Sequence, residues 1–286
     1  MRAILLAFLF VACGPASAQF DFGRILNKAI DTTKKLQEAN KEFSVEDEIA
    51  LGNGVTAGVL GATKLHPDAN LQRYVNRVGK WLAMHSERAD LPWSFGVMDT
   101  DTINAFAMPG GSVLVSHGLI KRLASESELA GVLAHEIAHV VKKHQLSAIQ
   151  STLNSDVWAS LGKDAAGQAI GRRGDAFGLK GAAANAGVEA VKSGVFLRPL
   201  DRGMEYEADR MGVVIAARSG YDPYGLVAVL SMLAQVKGDG SGAAIFDTHP
   251  AASDRIGELE NFMPSIVERF ASQPQVEGRF RQVVGK

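Results

Sequence analysis

The sequence predicts an α+β protein dominated by helix, and three observations carry that reading. Stretches of helical periodicity precede the middle of the 286-residue chain. A short block over residues 93–116 alternates as strands do and contains Pro109-Gly110-Gly111, a turn signal. Helical patterns then return, and the order of helices, short sheet, helices belongs to the α+β class. At 47% hydrophobic the chain can bury a full core, and its length suits one large domain or two small ones. Thirty Lys and Arg against 31 Asp and Glu leave a formal charge of -1, which argues against nucleic acid or an anionic membrane as the main partner.

The first residues, MRAILLAFLFVACGPASAQF, read as a targeting segment. Arg2 precedes an apolar run from Ala3 to Cys13, Gly14 and Pro15 break it, and Ala16-Ser17-Ala18 forms an A-x-A cleavage site. The run is too short to span a bilayer, so residues 1–18 are expected to be a signal peptide cleaved after Ala18. A competing reading makes Cys13 a lipidated N-terminus, but Phe10 is a poor outer residue for the recognition box Phe10-Val11-Ala12. Either way the protein is expected to leave the cytoplasm. Cys13 is the only cysteine, so a chain cut after Ala18 has no disulfide and no thiol ligand. No later apolar run reaches the length of a membrane helix, so the mature protein is expected to be soluble or tethered only at its N-terminus.

Residues 19–43 follow as an amphipathic helix, with Phe20, Phe22, Ile25, Leu26, Ile30 and Leu36 at helical spacing and Lys34, Lys35, Glu38 and Lys41 among and beyond them. It is expected to pack back on the domain rather than on a membrane or partner. The main domain is placed at 44–272. A helix follows Ser44, and a second, started by Asp68 as a cap, carries the stripe Leu71, Tyr74, Val75, Val78, Trp81 and Leu82. Trp93, Phe95 and Val97, then INAFAMP (103–109) and SVLVS (112–116), predict a small antiparallel sheet. The next helix begins near Glu126, because Ser125 and Glu128 form a capping box. Residues 146–200 are Gly, Ala and Ser rich and read as small-residue helices or a flap over the cleft. Helices are expected at 203–218 and 223–236, with a last pair across 251–272 and a polar tail over 273–286.

The helix after Ser125, LASESELAGVLAHEIAHVVKKHQ, carries the chemistry. From Leu129 to Val141 every residue is apolar or small except His135, Glu136 and His139. Polar groups in so apolar a helix need partners. Residues four apart on a helix differ by about 40° in direction, so both imidazoles project from one face, one turn apart. They can share a tetrahedral metal, and Glu136 can reach a water on it and take its proton. Structural zinc sites use four ligands and many cysteines, which this chain lacks, so a catalytic zinc with three protein ligands is expected. His144 lies nine residues after His135, about 180° round an uninterrupted helix, and is expected to face away. The metzincin extension also fails, since Lys142 and Gln145 hold its glycine and third histidine positions.

The third ligand is sought in GMEYEADRMG (203–212). Glu205 and Asp209 share a helix face, and Glu207 points elsewhere. Glu205 is assigned as ligand, and Asp209 as the acceptor that fixes the tautomer of a ligand histidine. A solvated acidic face, with Glu205 paired to Arg202 and Asp209 to Arg210, is the competing reading.

HEIAHVVKKH (135–144) with the downstream EYEADRMG (205–212) resembles the zinc peptidases that include CAAX prenyl endopeptidases and HtpX-like proteases. NAFAMPGGSVLVSHGL (104–119) resembles the family's strand and hairpin before that helix, and DTHPAASDRI (247–256) its late HPxxxxR element. The resemblance covers about residues 45–262. It implies a compact gluzincin core with one Zn2+ on His135, His139 and Glu205, and Glu136 as the base. Lacking the transmembrane helices of some members, the chain resembles the soluble, exported bacterial ones, so a periplasmic location is implied, with outer-membrane association open. His249 and Arg255 are candidates to stabilise an oxyanion, and the histidine of this element can also lie near the metal and restrain activity. Taken alone, His249 has a plainer reading, a His-Pro helix start with Pro250 at the first position. Strand 112–116 is a candidate to bind substrate by edge pairing. His66, His85 and His117 are read as structural or surface residues. The function expected is a zinc endopeptidase acting on unfolded or misassembled envelope polypeptides. The alternative is a latent or non-catalytic assembly factor, which the intact Glu136 disfavours.

Overall fold

The computed structural model describes residues 44–153, 200–236, 249, 252–270 and 273–285. The expected signal peptide and amphipathic helix lie outside these residues, as do Pro250 and residues 154–199 of the expected flap; 146–153 are helical. The class is α+β and mainly helical, as the sequence predicts.

The chain opens with α1 (Val45–Ala62) and α2 (Ala69–Ala83). Asp68 caps α2, accepting hydrogen bonds from the N–H groups of Asn70 and Leu71, and Leu71, Val75, Val78 and Leu82 bury one stripe. Strands β1 (Ser94–Met98), β2 (Ala105–Met108) and β3 (Ser112–Ser116) follow. The sheet is mixed rather than antiparallel throughout. Its order is β1-β3-β2, with β3 antiparallel to β2 and parallel to β1. The segment between β1 and β2 reverses the chain but leaves a gap one strand wide, which β3 then fills. The hairpin joining β2 to β3 is the Pro109-Gly110-Gly111 turn, where both glycines take positive φ. Gly110 also admits close packing, since a Cβ there would meet the Ile49 backbone at 2.6 Å.

A short helix α3 (His117–Ile120) leads to α4 (Glu126–Val141), the central helix. Ser125 accepts from the Glu128 N–H and Glu128 from the Ala124 N–H, which satisfies its first turn. Helix α4 is buried along nearly its whole length. Around it lie α2, β2, β3, α6 (Arg202–Arg218) and α7 (Gly225–Val236). Between α4 and α6 the chain includes α5 (His144–Leu153), and beyond α7 lie α8 (Ala252–Phe270) and α9 (Glu277–Val284). The pair of helices expected across 251–272 is one helix, α8, with Pro264 inside it.

The polar tail expected over 273–286 is also corrected. Residues 277–284 form α9, and its Phe280 is fully buried in the core. Phe280, Val283 and Val284 stand at i, i+3 and i+4, but a single apolar turn in an eight-residue helix is a weak periodic signal.

Both ends of α4 are tied down. At its N-terminus the fully buried Glu126 accepts hydrogen bonds from the hydroxyls of Tyr74 (2.5 Å) and Tyr221 (2.8 Å) and from Nε of Arg279 (2.6 Å), with a second contact to Nη2. A carboxylate there also suits the helix dipole. At the C-terminus Arg88 donates to the Val140 carbonyl (3.1 Å) while Glu48, itself buried, holds its guanidinium through two contacts of 2.9 Å.

Burial opposes ionisation of Glu126, but Arg279 and the two tyrosine hydroxyls outweigh it and hold its pKa below the usual glutamate value of 4.5. Its charge therefore stabilises the fold above about pH 4.5, and that contribution is lost as pH falls through the lowered folded value. Replacing Glu126 by Ala is expected to cost about 2–4 kcal/mol in denaturant unfolding, because it strips partners from a buried network. Glu126→Gln is expected to flatten the fall of melting temperature between neutral and acid pH.

Candidate metal centre

Helix α4 delivers His135, Glu136 and His139, and α6 delivers Glu205 and Asp209 from the facing side. The two helices come close because residue 212 is glycine. A Cβ there would stand 2.9 Å from the His135 backbone nitrogen, too near for any other residue. The segment before α8 adds His249, and α8 adds Arg255. All seven side chains are buried.

The sequence-assigned ligand atoms converge. Nε2 of His135 and Nε2 of His139 are 3.0 Å apart, and the Glu205 carboxylate stands 3.6 Å from the first and 3.4 Å from the second. Ligands on a tetrahedral ion at 2.0–2.1 Å are about 3.3 Å from one another, so the triangle has the right size for Zn2+. Each histidine is backed through its other nitrogen. Nδ1 of His135 is 2.9 Å from Asp209 Oδ1, and Nδ1 of His139 is 2.9 Å from Nδ1 of His144. With those Nδ1 atoms carrying protons, two buried Nε2 lone pairs face each other and need a cation between them. His249 Nδ1 lies 2.9 Å from both oxygens of Glu205, which makes it the fourth member of the cluster.

The placement of His144 corrects the expectation that it faces away. That argument assumed an uninterrupted helix. In the structure α4 stops at Val141, Lys143 takes a left-handed φ of 57°, and His144 begins α5. The turn swings the ring back onto His139, and its Nε2 meets Glu207 (3.2 Å), which Lys142 also holds (2.6 Å). Nothing in Lys142-Lys143 signals a helix break, since left-handed residues are usually glycine or asparagine. Glu207, turned away from Glu205, therefore backs His139 through His144, as Asp209 backs His135 directly. The competing pairs Glu205–Arg202 and Asp209–Arg210 do not form; Arg202 reaches Asp254 and Arg210 reaches Glu258.

Arg255 lies inside the cluster. Its Nε and Nη2 bind the two oxygens of Asp209 (2.8 and 2.5 Å), and its Nη1 is 3.3 Å from Glu205. Burial works against the charge on Asp209 and Glu205, but Arg255 beside Asp209, and His249 with Arg255 beside Glu205, pull both pKa values down to about 2. Burial raises the Glu136 pKa and pushes that of His139 well below its usual value. For His249 burial is outweighed by Glu205, and its pKa is raised. Glu136, Glu205 and Asp209 outnumber Arg255, and the excess negative charge is one that a bound cation or a protonated His249 can answer. An apolar helix presenting two imidazoles and a carboxylate to a carboxylate on its neighbour is the donor arrangement of hydrolytic zinc enzymes.

The comparisons with known proteins agree. The model of peptidase family M48 matches residues 69–263, more than half the chain. The chain is 32% identical over 266 residues to the beta-barrel assembly-enhancing protease of Yersinia pestis, covering 91% of this chain and 53% of that protein. It is 30% identical over 231 residues to the protein of that name from Escherichia coli K12, covering 78% and 45%. It is 32% identical over 195 residues to the mitochondrial metalloendopeptidase OMA1 of Schizosaccharomyces pombe, covering 67% and 52%. The chain thus spans about half the length of these relatives. It belongs to peptidase family M48, and the resemblance drawn from its motifs is borne out.

Replacing His144 by Ala removes the partner of His139 Nδ1 and cuts the link from that ring to Glu207. Zinc affinity, read by competition with a chromogenic chelator, is expected to fall about 10-fold or more, while the circular dichroism of the folded chain is unchanged.

Proposed function

We propose that the chain is a zinc-dependent endopeptidase, with His135, His139 and Glu205 as ligands and Glu136 as general base. The observation that carries this reading is the convergence of those three donors with Glu136 buried beside them. Zinc, when bound, supplies Lewis acidity towards water and the scissile carbonyl. The protein does the rest. Glu136 takes a proton from the attacking water and passes it to the departing amine, and its burial-raised pKa suits a group that must hold that proton between the two steps. Asp209 and the His144–Glu207 pair hold the ligand rings in one tautomer. Arg255 holds Asp209 and Glu205 in place. His249, whose Nε2 lies 3.9 Å from Glu136, is the donor proposed for the developing oxyanion.

Substrate is proposed to bind by β-pairing. Strand β3, assigned to this from sequence, is hydrogen-bonded on both sides and has no edge to offer. The outer edge of β2, which packs near α4, is the better platform, because no strand of the described residues pairs with it. Backbone pairing accepts many sequences, as an enzyme for unfolded or misassembled chains requires. The names of the bacterial relatives support a substrate among envelope proteins. Export by residues 1–18, a periplasmic location and association with the outer membrane belong to the same proposal. Among the described residues no helix is long and apolar enough to cross a membrane.

A second reading, a latent enzyme, is favoured by the contact of His249 with both oxygens of Glu205, which sets the imidazole in competition with the metal for its carboxylate ligand.

Metal content and casein proteolysis, measured for wild type and Glu136→Gln, test the proposal. One zinc per chain in both is expected, with activity lowered at least a hundredfold in the variant. Equal activity would remove Glu136 from the chemistry, and zinc in neither would undo the ligand assignment. His249→Ala then separates the two readings. Proteolysis falls if His249 serves the oxyanion and rises if it restrains the metal centre.

A further inference from the structure

We propose that His66, Asp99 and His117 form a second metal site, separate in its residues from the candidate centre, which takes one borderline transition-metal ion such as Zn2+. One donor atom from each lies within 4.8 Å of the other two. His66 stands in the link between α1 and α2, Asp99 directly after β1, and His117 at the first position of α3. The three come from separate elements, which is why His66 and His117 read individually as structural or surface residues.

The backbone holds them together. The His66 N–H donates to the Val97 carbonyl (2.8 Å) and the Asp99 N–H to the Lys64 carbonyl (2.8 Å), around a bridge between Leu65 and Met98. The Gly118 N–H donates to the Thr100 carbonyl (2.8 Å), and a Cβ on Gly118 would stand 2.1 Å from the Asp101 carbonyl oxygen. Each donor position is therefore fixed to the next by main-chain contacts, and little ordering remains when an ion arrives. The rings of His66 and His117 already face each other at 4.1 Å.

The donors are also available. The nearby Asp101 is taken by Lys121, whereas the Asp99 carboxylate makes no side-chain hydrogen bond or ion pair among the described residues. His66 Nδ1 accepts one long, exposed hydrogen bond from the Asp68 N–H (3.3 Å), which a metal displaces whichever nitrogen of His66 it takes. Two imidazoles and one carboxylate suit Zn2+, Ni2+ or Cu2+ better than Mg2+ or Ca2+. Both rings are half-buried and Asp99 is exposed, so water completes the shell. An ion there links the α1–α2 connection, the end of β1 and the start of α3.

Calorimetric titration of the whole chain, without a histidine tag, with Zn2+ tests this. Wild type is expected to take two equivalents. The chain with His66→Ala and His117→Ala is expected to take one, as is His139→Ala, which loses the candidate centre instead. His66→Asn and His117→Gln, which keep polar side chains, are each expected to weaken the second equivalent at least about tenfold. A wild type that binds a single equivalent, removed by His139→Ala, overturns this proposal and leaves the first centre standing. So does a second equivalent that survives the loss of both His66 and His117. A single equivalent removed by the His66 and His117 changes supports the second site and sinks the first.

Discussion

The approach of α6 to α4 at Gly212 is the constraint on which the rest of the site depends. An apolar helix with two imidazoles and a carboxylate is costly to bury by itself, and so is a helix with two carboxylates on its inner face. Each supplies what the other lacks, provided that the backbones come within a glycine's reach. A side chain at 212 pushes Glu205 and Asp209 away together, since both are on the helix that must retreat. The positions of Glu205 and Asp209 are thus set by one contact.

Charge is organised in layers around that contact. Asp209 and Arg255 form a pair that neutralises itself and orients His135. His144, Glu207 and Lys142 do the same for His139, closer to the surface. The excess negative charge of the innermost layer is left for a cation, and His249 competes for it. Burial makes these preferences strong, because water cannot screen them.

How much of this was legible depends on the distance over which each signal acts. The cap at Ser125, the one-face spacing of His135 and His139, and the shared face of Glu205 and Asp209 are local, and periodicity reads them directly. The HPxxxxR element was visible as a motif, although the grip of Arg255 on Asp209 was not. The parallel pairing of β1 with β3 depends on where a loop places the next strand, and alternation is silent about that. His144 was misread because a left-handed lysine gives no warning in the sequence. Helix α9 was missed because Phe280, Val283 and Val284 make only one apolar turn, too short a repeat to stand out. His66 and His117 are brought together by main-chain contacts between segments about 50 residues apart in the chain, which no local pattern announces.

The tie between the start of α4 and residues 274–280 bears on the order in which the molecule can assemble. Ser127 donates its N–H to the Gln275 carbonyl and its hydroxyl to the Pro274 carbonyl, while Arg279 covers Glu126 and Phe280 enters the core. The root of the helix that bears His135 is therefore finished by residues that the ribosome delivers long after the helix itself, since Arg279 follows Glu126 by 153 positions. Until they arrive, a buried carboxylate lacks its cation and the helix start is unsealed. His135 and His139 are in hand well before that, but the scaffold that aligns them waits for a segment far downstream. A cluster built this way is kept by connectivity from forming before residues 274–280 have joined the helix root.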